Sequence, residues 1–155
     1  MSITTAITTT TEVRNLAIND SNFDVNLIKE EWIMSVQLST IRPLLGDDFY
    51  DAIIADISSY STLIDNYLKY IIAYKVLSIA LPFIHIHVVN SGIRIPSNEF
   101  GSSGSSRERS ELATTAERIA ESYIKEMQRY LKDNLSIYTL YSKQISHSRK
   151  AGIIL

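Results

Sequence analysis

The chain has 155 residues, of which 45% are hydrophobic and 21% are charged, proportions typical of one globular domain and unlike those of disordered or fibrous proteins. It contains no cysteine, which excludes disulfide scaffolds, thiolate zinc sites, iron–sulfur clusters and cysteine nucleophiles. The formal net charge of −2 lacks the basic excess of a dedicated nucleic-acid binder.

Charge is divided unevenly along the chain. Residues 1–65 hold ten acids and three bases, a balance of −7, whereas residues 66–155 hold seven acids and twelve bases, a balance of +5. This polarity favours head-to-tail pairing between copies, as in a ring. A contact within one chain would satisfy it equally.

The N-terminal third is predicted to hold an arm and two helices. Residues 1–23 form the arm, because their Thr-rich opening lacks the alternation of a core strand. A helix over 26–41 follows, with Asp24 as its cap, and Pro43 is expected to end it. A short second helix, capped by Asp47 or Asp48, runs through about residue 57.

A long helix is predicted to start near Thr62 and to carry apolar residues on most faces toward Pro82, which makes it the central, most buried helix. Its apolar run is interrupted too often to span a bilayer. Residues 82–89 stay open between helix and strand, because their apolar residues alternate with period two.

The last third is predicted to contain a flexible loop or hairpin over 90–109, a charged helix over 110–133 and an extended tail over 135–155. The tail is basic and apolar without helical periodicity, so it either returns to the domain or docks on a partner; docking is favoured. Its stretch 137–141 is expected to be able to add a strand to a neighbouring sheet.

Few residues indicate catalysis or metal binding. His85 and His87 would share one face of a strand, but no third ligand accompanies them, so a core or interface role is preferred. Asp47, Asp48 and Asp51 form an acidic cluster that helix capping explains. Arginines and glutamates alternate over 107–129, as on a solvated face or a subunit contact.

A motif in the first two helices resembles a known family. It comprises Gln37, Ile41, Leu45, Gly46, Phe49 and Tyr50. The pattern is similar to that of the head–tail adaptor (connector) proteins of tailed bacteriophages, particularly phages of Bacteroides-like hosts. The order of the elements from about 24 to 134 matches as well: a long apolar helix, an Asn-x-Gly turn at Asn90, a Ser/Gly-rich loop and a final charged helix.

The resemblance implies a mainly α protein, a small bundle of about four helices over 24–134, with a long loop and extended N- and C-terminal arms. It implies a structural virion protein, made in the host cytoplasm, which forms a twelvefold ring beneath the portal, extends the DNA channel and offers the tail a docking surface. Its partners would be other copies, the portal and neighbouring tail proteins. DNA would be a transient occupant of the channel, and neither a cofactor, a metal, an enzymatic activity nor a membrane is expected.

Three sets of residues follow from these predictions. The portal or neighbouring ring is expected to contact Ile137, Tyr138, Leu140, Tyr141, Lys143, Ile145, Arg149, Lys150, Ile153, Ile154 and Leu155. The loop is expected to make contacts through Asn90, Gly92, Arg94, Ile95, Asn98 and Phe100. The core is expected to contain Ile28, Trp32, Val36, Leu45, Phe49, Ile53, Leu68, Ile72, Ile119 and Tyr123.

Two alternatives to an adaptor stay open. A stopper or another ring of the neck or tail would need the same helical core and adaptable arms. An unrelated helical binding module or small enzyme would share only the apolar pattern, and a metal-dependent activity lost on substitution of His85 or His87 would favour it.

Overall fold

The computed structural model describes residues 5–18, 25–90 and 106–141, without the side chains of 83–90, Ser106 and Glu108. Every regular element in these ranges is helical and none is a strand, which confirms the predicted mainly α bundle. None of the described helices combines the length and apolar character needed to span a bilayer.

Residues 139–141 are the last helical residues of the described chain, and seven α-helical segments precede them. They are α1 (Thr10–Ala17), α2 (Glu30–Val36), α3 (Arg42–Leu45), α4 (Asp47–Ala55), α5 (Ser61–Leu63), α6 (Lys69–Asn90) and α7 (Ser106–Asp133). A π-helical turn over Gln37–Ile41 joins α2 to α3, and another over Ile64–Leu68 joins α5 to α6. Single 3-10 turns occupy Val25–Leu27 and Ser58–Tyr60.

Helix α6 lies at the centre of the bundle, as predicted, and packs on α1, α2 and α7. Its buried side chains include Ile71, Ile72 and Val76. The facing side of α7 is buried at Ala116, Ala120, Ile124, Met127 and Leu131. Because two of these residues are alanines, their small side chains allow the backbones of α6 and α7 to approach closely.

The prediction of an N-terminal arm is wrong for 10–17. Thr9 caps α1 in a capping box with Glu12, whose carboxylate accepts from the Thr9 N–H at 3.0 Å. Val13 and Ile7 are buried in the common core. A hydrophobicity pattern does not detect this helix, because only a few of its residues are apolar. Its start is specified by the capping box. Residues 1–4 lie outside the described residues.

The first predicted helix begins later and continues further than expected. Its regular part starts at Glu30 with Lys29 at the cap position, and Asp24 lies outside the described residues. Pro43 does not end it: the π turn already shifts the hydrogen-bond pattern before the proline, which sits in the first turn of α3 where its missing N–H costs little. The chain breaks at Gly46 instead, and Gly46, not Asp47 or Asp48, is the cap of α4.

Seven of the ten predicted core residues are buried: Ile28, Val36, Leu45, Phe49, Ile53, Leu68 and Ile72. Trp32, Ile119 and Tyr123 are only partly buried. The predicted stripe on α7 is therefore rotated relative to the observed one, because large aromatic residues flank the contact with α6 and do not occupy its centre.

Residues 82–89, for which the sequence left helix and strand open, are helical. α6 passes Pro82 and ends at Asn90, and α7 starts at Ser106, four residues before the predicted start. The proline lies at an exposed position of the helix. The loop positions Gly92, Arg94, Ile95, Asn98 and Phe100 lie outside the described residues.

The beginning of the tail returns to the domain. Tyr138 and Tyr141 are buried, Leu135 and Leu140 pack partly against the core, and residues 134–137 form a turn. The predicted extended strand over 137–141 and the predicted partner contacts of Tyr138 and Tyr141 are therefore wrong. Ile137 is 68% exposed and stays available for a partner. The remaining predicted contacts, at Lys143, Ile145, Arg149, Lys150, Ile153, Ile154 and Leu155, lie outside the described residues.

Candidate assembly surfaces

Gln37 is a fully buried polar residue that joins three parts of the chain. Its Nε2 donates to the Tyr50 hydroxyl oxygen at 2.7 Å and to the Thr5 carbonyl oxygen at 2.8 Å. Its Oε1 accepts from the Ile7 N–H at 2.9 Å. Gln37 is the first residue of the π turn, so its amide connects α4 and the segment before α1 to this turn. The amide nitrogen and the amide oxygen both have hydrogen-bond partners.

The six motif residues form one structural unit around this amide. Ile41, Leu45 and Phe49 are buried, as are Gln37 and Tyr50. Gly46 adopts φ 82° and ψ 155°, a region that only glycine occupies readily, and so redirects the chain between α3 and α4. The Arg42 guanidinium lies 5.6 Å from the Tyr50 ring centroid and covers its outer side.

Aromatic rings continue from this unit to the end of α7. Phe49 lies within 5.6 Å of Tyr60 and 5.8 Å of Tyr138, ring centroid to centroid. Tyr138 in turn shares a 3.2 Å hydrogen bond with the Tyr130 hydroxyl. Burial and this hydrogen bond raise the pKa of Tyr138 well above its ordinary value, so the neutral phenol is strongly favoured. The start of the tail is held in place by these rings.

Helices α6 and α7 form an antiparallel pair. Tyr67 stacks on Tyr130 at 5.1 Å, and Tyr70 stacks on Tyr123 at 4.8 Å, ring centroid to centroid. Further along, Lys75 forms ion pairs with Glu117 and with Glu121. In these contacts, higher residue numbers on the α6 side pair with lower residue numbers on α7, so the two helices run antiparallel.

The Lys75 ammonium is enclosed by this pairing. Its side chain is 15% exposed, and burial lowers its pKa, but the hydrogen bonds to Glu117 and Glu121 outweigh burial and raise it. Lys69 is held similarly, with Glu12 at 2.8 Å and Asp65 at 2.9 Å. Burial raises the pKa of Glu12, but hydrogen bonds from Lys69 and the Thr9 N–H bring it below its ordinary value.

The α6–α7 pair extends beyond the core. Ala80 is the last described buried residue of α6, and Ala116 is the first of α7. Ten further residues of each helix add about 15 Å at 1.5 Å per residue. None of the described side chains in these extensions is buried, and Leu112 is 56% exposed. We call this part the hairpin extension, residues 81–90 and 106–115.

The predicted site residues are thus divided between core and surface. Ile137 is exposed, Tyr138 and Tyr141 are buried, and Asn90 is the last residue of α6, at the end of the hairpin extension. His85 and His87 also lie on that part of α6, and their side chains are not described. Within the described residues no group of three or more histidine, aspartate and glutamate side chains is arranged to hold a metal.

Sequence reasoning missed two features. The role of Gln37 as a buried connector was not predicted, although one uncharged polar residue within an apolar stripe is a signal for such a role. The exposed cations Lys125, Arg129 and Lys132 on α7 were also missed as a set. Their spacing at positions i, i+4 and i+7 places them on one face of a helix and was available in the sequence.

These features define a helical protein built on an antiparallel helix pair, with exposed surfaces at the pair's far end and outer side. The chain belongs to a family of unknown function, DUF6712, whose profile matches residues 41–150 of its 155. No curated protein and no solved structure matches the chain.

Proposed function

We propose that the chain is a structural virion protein of a tailed bacteriophage: a head–tail adaptor that forms a ring beneath the portal. In this role it extends the DNA channel and offers the tail a docking surface. The hairpin extension is the observation that carries the proposal. Two helices continue about 15 Å past the last buried alanines, and none of the side chains that the structure describes in these extensions is buried.

The motif around Gln37 supports the particular class of ring protein. The residues that resemble an adaptor motif form a connected unit, with a 2.7 Å hydrogen bond between the first and the last of them. They fix the angle between α3 and α4 through Gly46. The motif therefore has a structural reason to recur as a unit among proteins of similar fold.

The tail supplies the contact with the portal in this proposal. Tyr138 and Tyr141 are buried in the core, so the last described residues before 142–155 are held in place. These fourteen residues contain Lys143, Arg149 and Lys150 and no acid, which suits an acidic portal surface. DNA passes through the ring without stable binding, and the proposal assigns the chain no catalytic step, metal or cofactor.

Electron microscopy of the purified chain mixed with its genome-adjacent portal protein tests the proposal. We expect a ring, twelvefold like the portal, added at the portal's narrow end. Deletion of residues 142–155 should abolish this ring and leave the melting temperature nearly unchanged, since Tyr138 and Tyr141 are retained. A deletion from Asn134 is the matched control that removes both tyrosines and should unfold the domain.

Bare portals beside free chain would overturn the adaptor proposal. A ring found instead on the isolated tail tube or on another neck protein would identify a stopper or lower ring. Retention of the portal ring after deletion of residues 142–155 would contradict the role of the tail while keeping the adaptor.

A further inference from the structure

The outer side of α7 carries a row of exposed cations, which we call the basic face: Arg118, Lys125, Arg129 and Lys132. At 100° per residue these positions fall within about 60° of one another on the helix, opposite the side buried against α6. From first to last the row covers about 21 Å along the axis. It borders a shallow open depression formed with Gln128 and Asp133.

The four cations of the basic face form no ion pair with the described residues of their own chain. None of its four cations has a carboxylate within 4 Å among the described residues. The nearby Glu121 is engaged with Lys75 on the other side. Unpaired cations in a line are strongly hydrated when exposed, and they favour an anionic partner of matching spacing.

A complementary surface lies on α4. Asp47, Asp48 and Asp51 are exposed on the side opposite Phe49 and Ile53, and we call them the acidic face. The Arg42 Nε contacts the Asp47 carboxylate at 2.7 Å, and an Arg42 terminal nitrogen lies 3.9 Å from that of Asp51. With Arg42 included the acidic face keeps a net charge of about −2, and Asp48 has no ion-pair partner among the described residues.

The two faces match in spacing as well as in sign. Lys125 and Arg129 are four residues apart, as are Asp47 and Asp51, so each pair is separated by about 6 Å along its helix. No described ion pair joins the two faces within one chain. Lys69, in the second half of the chain, pairs with Glu12 and Asp65 of the first half, whereas the four cations of the basic face have no ion-pair partner among the described residues.

We infer that the basic face of α7 docks on the acidic face of α4 in a second copy of this chain. The inference rests on the proposed ring and names the surfaces that build it. A contact between two different patches is heterologous, so each copy keeps one free face and the contact repeats into a ring or filament. A nucleic-acid partner would engage the basic face alone and would give the acidic face no partner.

Cysteine crosslinking tests this contact cleanly, because the chain has no cysteine of its own. Ala55→Cys and Ser122→Cys place thiols at exposed, uncharged positions beside the acidic and basic faces and leave every charge intact. The double variant, treated with a short bis-maleimide, should give a ladder of oligomers on a denaturing gel. Each single variant, as a matched control, should give no more than a trace of dimer.

Charge reversal then tests which residues make the contact. Arg129→Glu in the double-cysteine background should lower the ladder yield by about tenfold or more, because a like-charge contact replaces an attractive one. Adding Asp48→Lys to this variant should restore most of the ladder yield. Lys29→Glu, the same charge change at the exposed N-cap position of α2 and part of neither face, should leave the yield unchanged.

The contact is overturned by absence of the ladder both in the free chain and on the portal, or by a ladder insensitive to Arg129→Glu. It is also overturned if Arg129→Glu abolishes salt-dependent binding of a double-stranded DNA fragment while no ladder forms, which would assign the basic face to DNA. A ladder from free chain that never joins the portal supports the contact and refutes the adaptor function, so the two failures are distinguishable.

Discussion

Replacement of Gln37 by leucine tests the buried connector most directly. Leucine keeps most of the buried volume but removes the partners of the Ile7 N–H and the Tyr50 hydroxyl. Each buried polar group left unsatisfied costs about 1–3 kcal/mol, so we expect a loss of about 2–6 kcal/mol in the free energy of unfolding. The Thr5 carbonyl adds little, because its bond is only partly buried and water can replace the amide.

Urea unfolding followed by the fluorescence of Trp32 measures this loss, since Trp32 is the single tryptophan and is partly buried. Hydrogen exchange at the Ile7 amide gives a local reading: its protection should fall far more than that of amides in α7. The melting temperature should drop by about 2–4 °C for each kcal/mol lost.

Tyr50→Phe is the matched control. It leaves one buried N–H of Gln37 unsatisfied, while Gln37 keeps its bonds to Thr5 and Ile7, so it should cost about 1–3 kcal/mol. The variant Gln37→Leu/Tyr50→Phe should cost less than the sum of the two, since no hydroxyl is then stranded. A cost below about 1 kcal/mol for Gln37→Leu, with additive behaviour, would refute the connector role.

Three further substitutions probe the fold. Gly46→Ala should lower stability by about 1–3 kcal/mol, because φ 82° with ψ 155° strains any side chain, and a neutral result in urea unfolding would contradict this. Lys75→Met should cost under about 1 kcal/mol, since Glu117 and Glu121 are near half exposed and stay hydrated; a loss above about 2 kcal/mol would mean the ion pairs matter more. Burial raises the pKa of Tyr138, so the neutral Tyr138 side chain stabilises the fold fully below the ordinary tyrosine pKa of 10.0, and this stabilisation is lost as the pH rises above that value. Tyr138→Phe should therefore flatten the decline in the free energy of unfolding between pH values of about 9 and 11.

Helices could be predicted where the helical spacing of apolar residues matches the side that is buried in the structure. Helix α4, the end of α7 at Asp133 and the central position of α6 follow from the sequence, because apolar residues there recur at helical spacing and turn residues bound them. Most of the predicted core is buried for the same reason. The bounds were least predictable where threonine or proline intervened.

Tertiary contacts decided what local signals could not. Helix α1 packs on α6, and the Gln37 amide holds the segment before it, so a single sequence window contains neither partner. Pro43 and Pro82 do not end their helices: a π turn directly precedes the segment that holds Pro43, and α6 continues past Pro82 to Asn90. Burial of Tyr138 and Tyr141 depends on Phe49, which lies about ninety residues earlier.

The sequence by itself determined the helical class, the central helix and the opposite charge of the two halves. Only the tertiary structure decided which side of α7 is buried, because the alanines that permit close approach count for little in hydrophobicity yet govern how near two backbones can come. That rotation places Lys125, Arg129 and Lys132 together on the outside. The candidate surfaces are therefore a consequence of packing, whereas the charges that they present were fixed by the sequence.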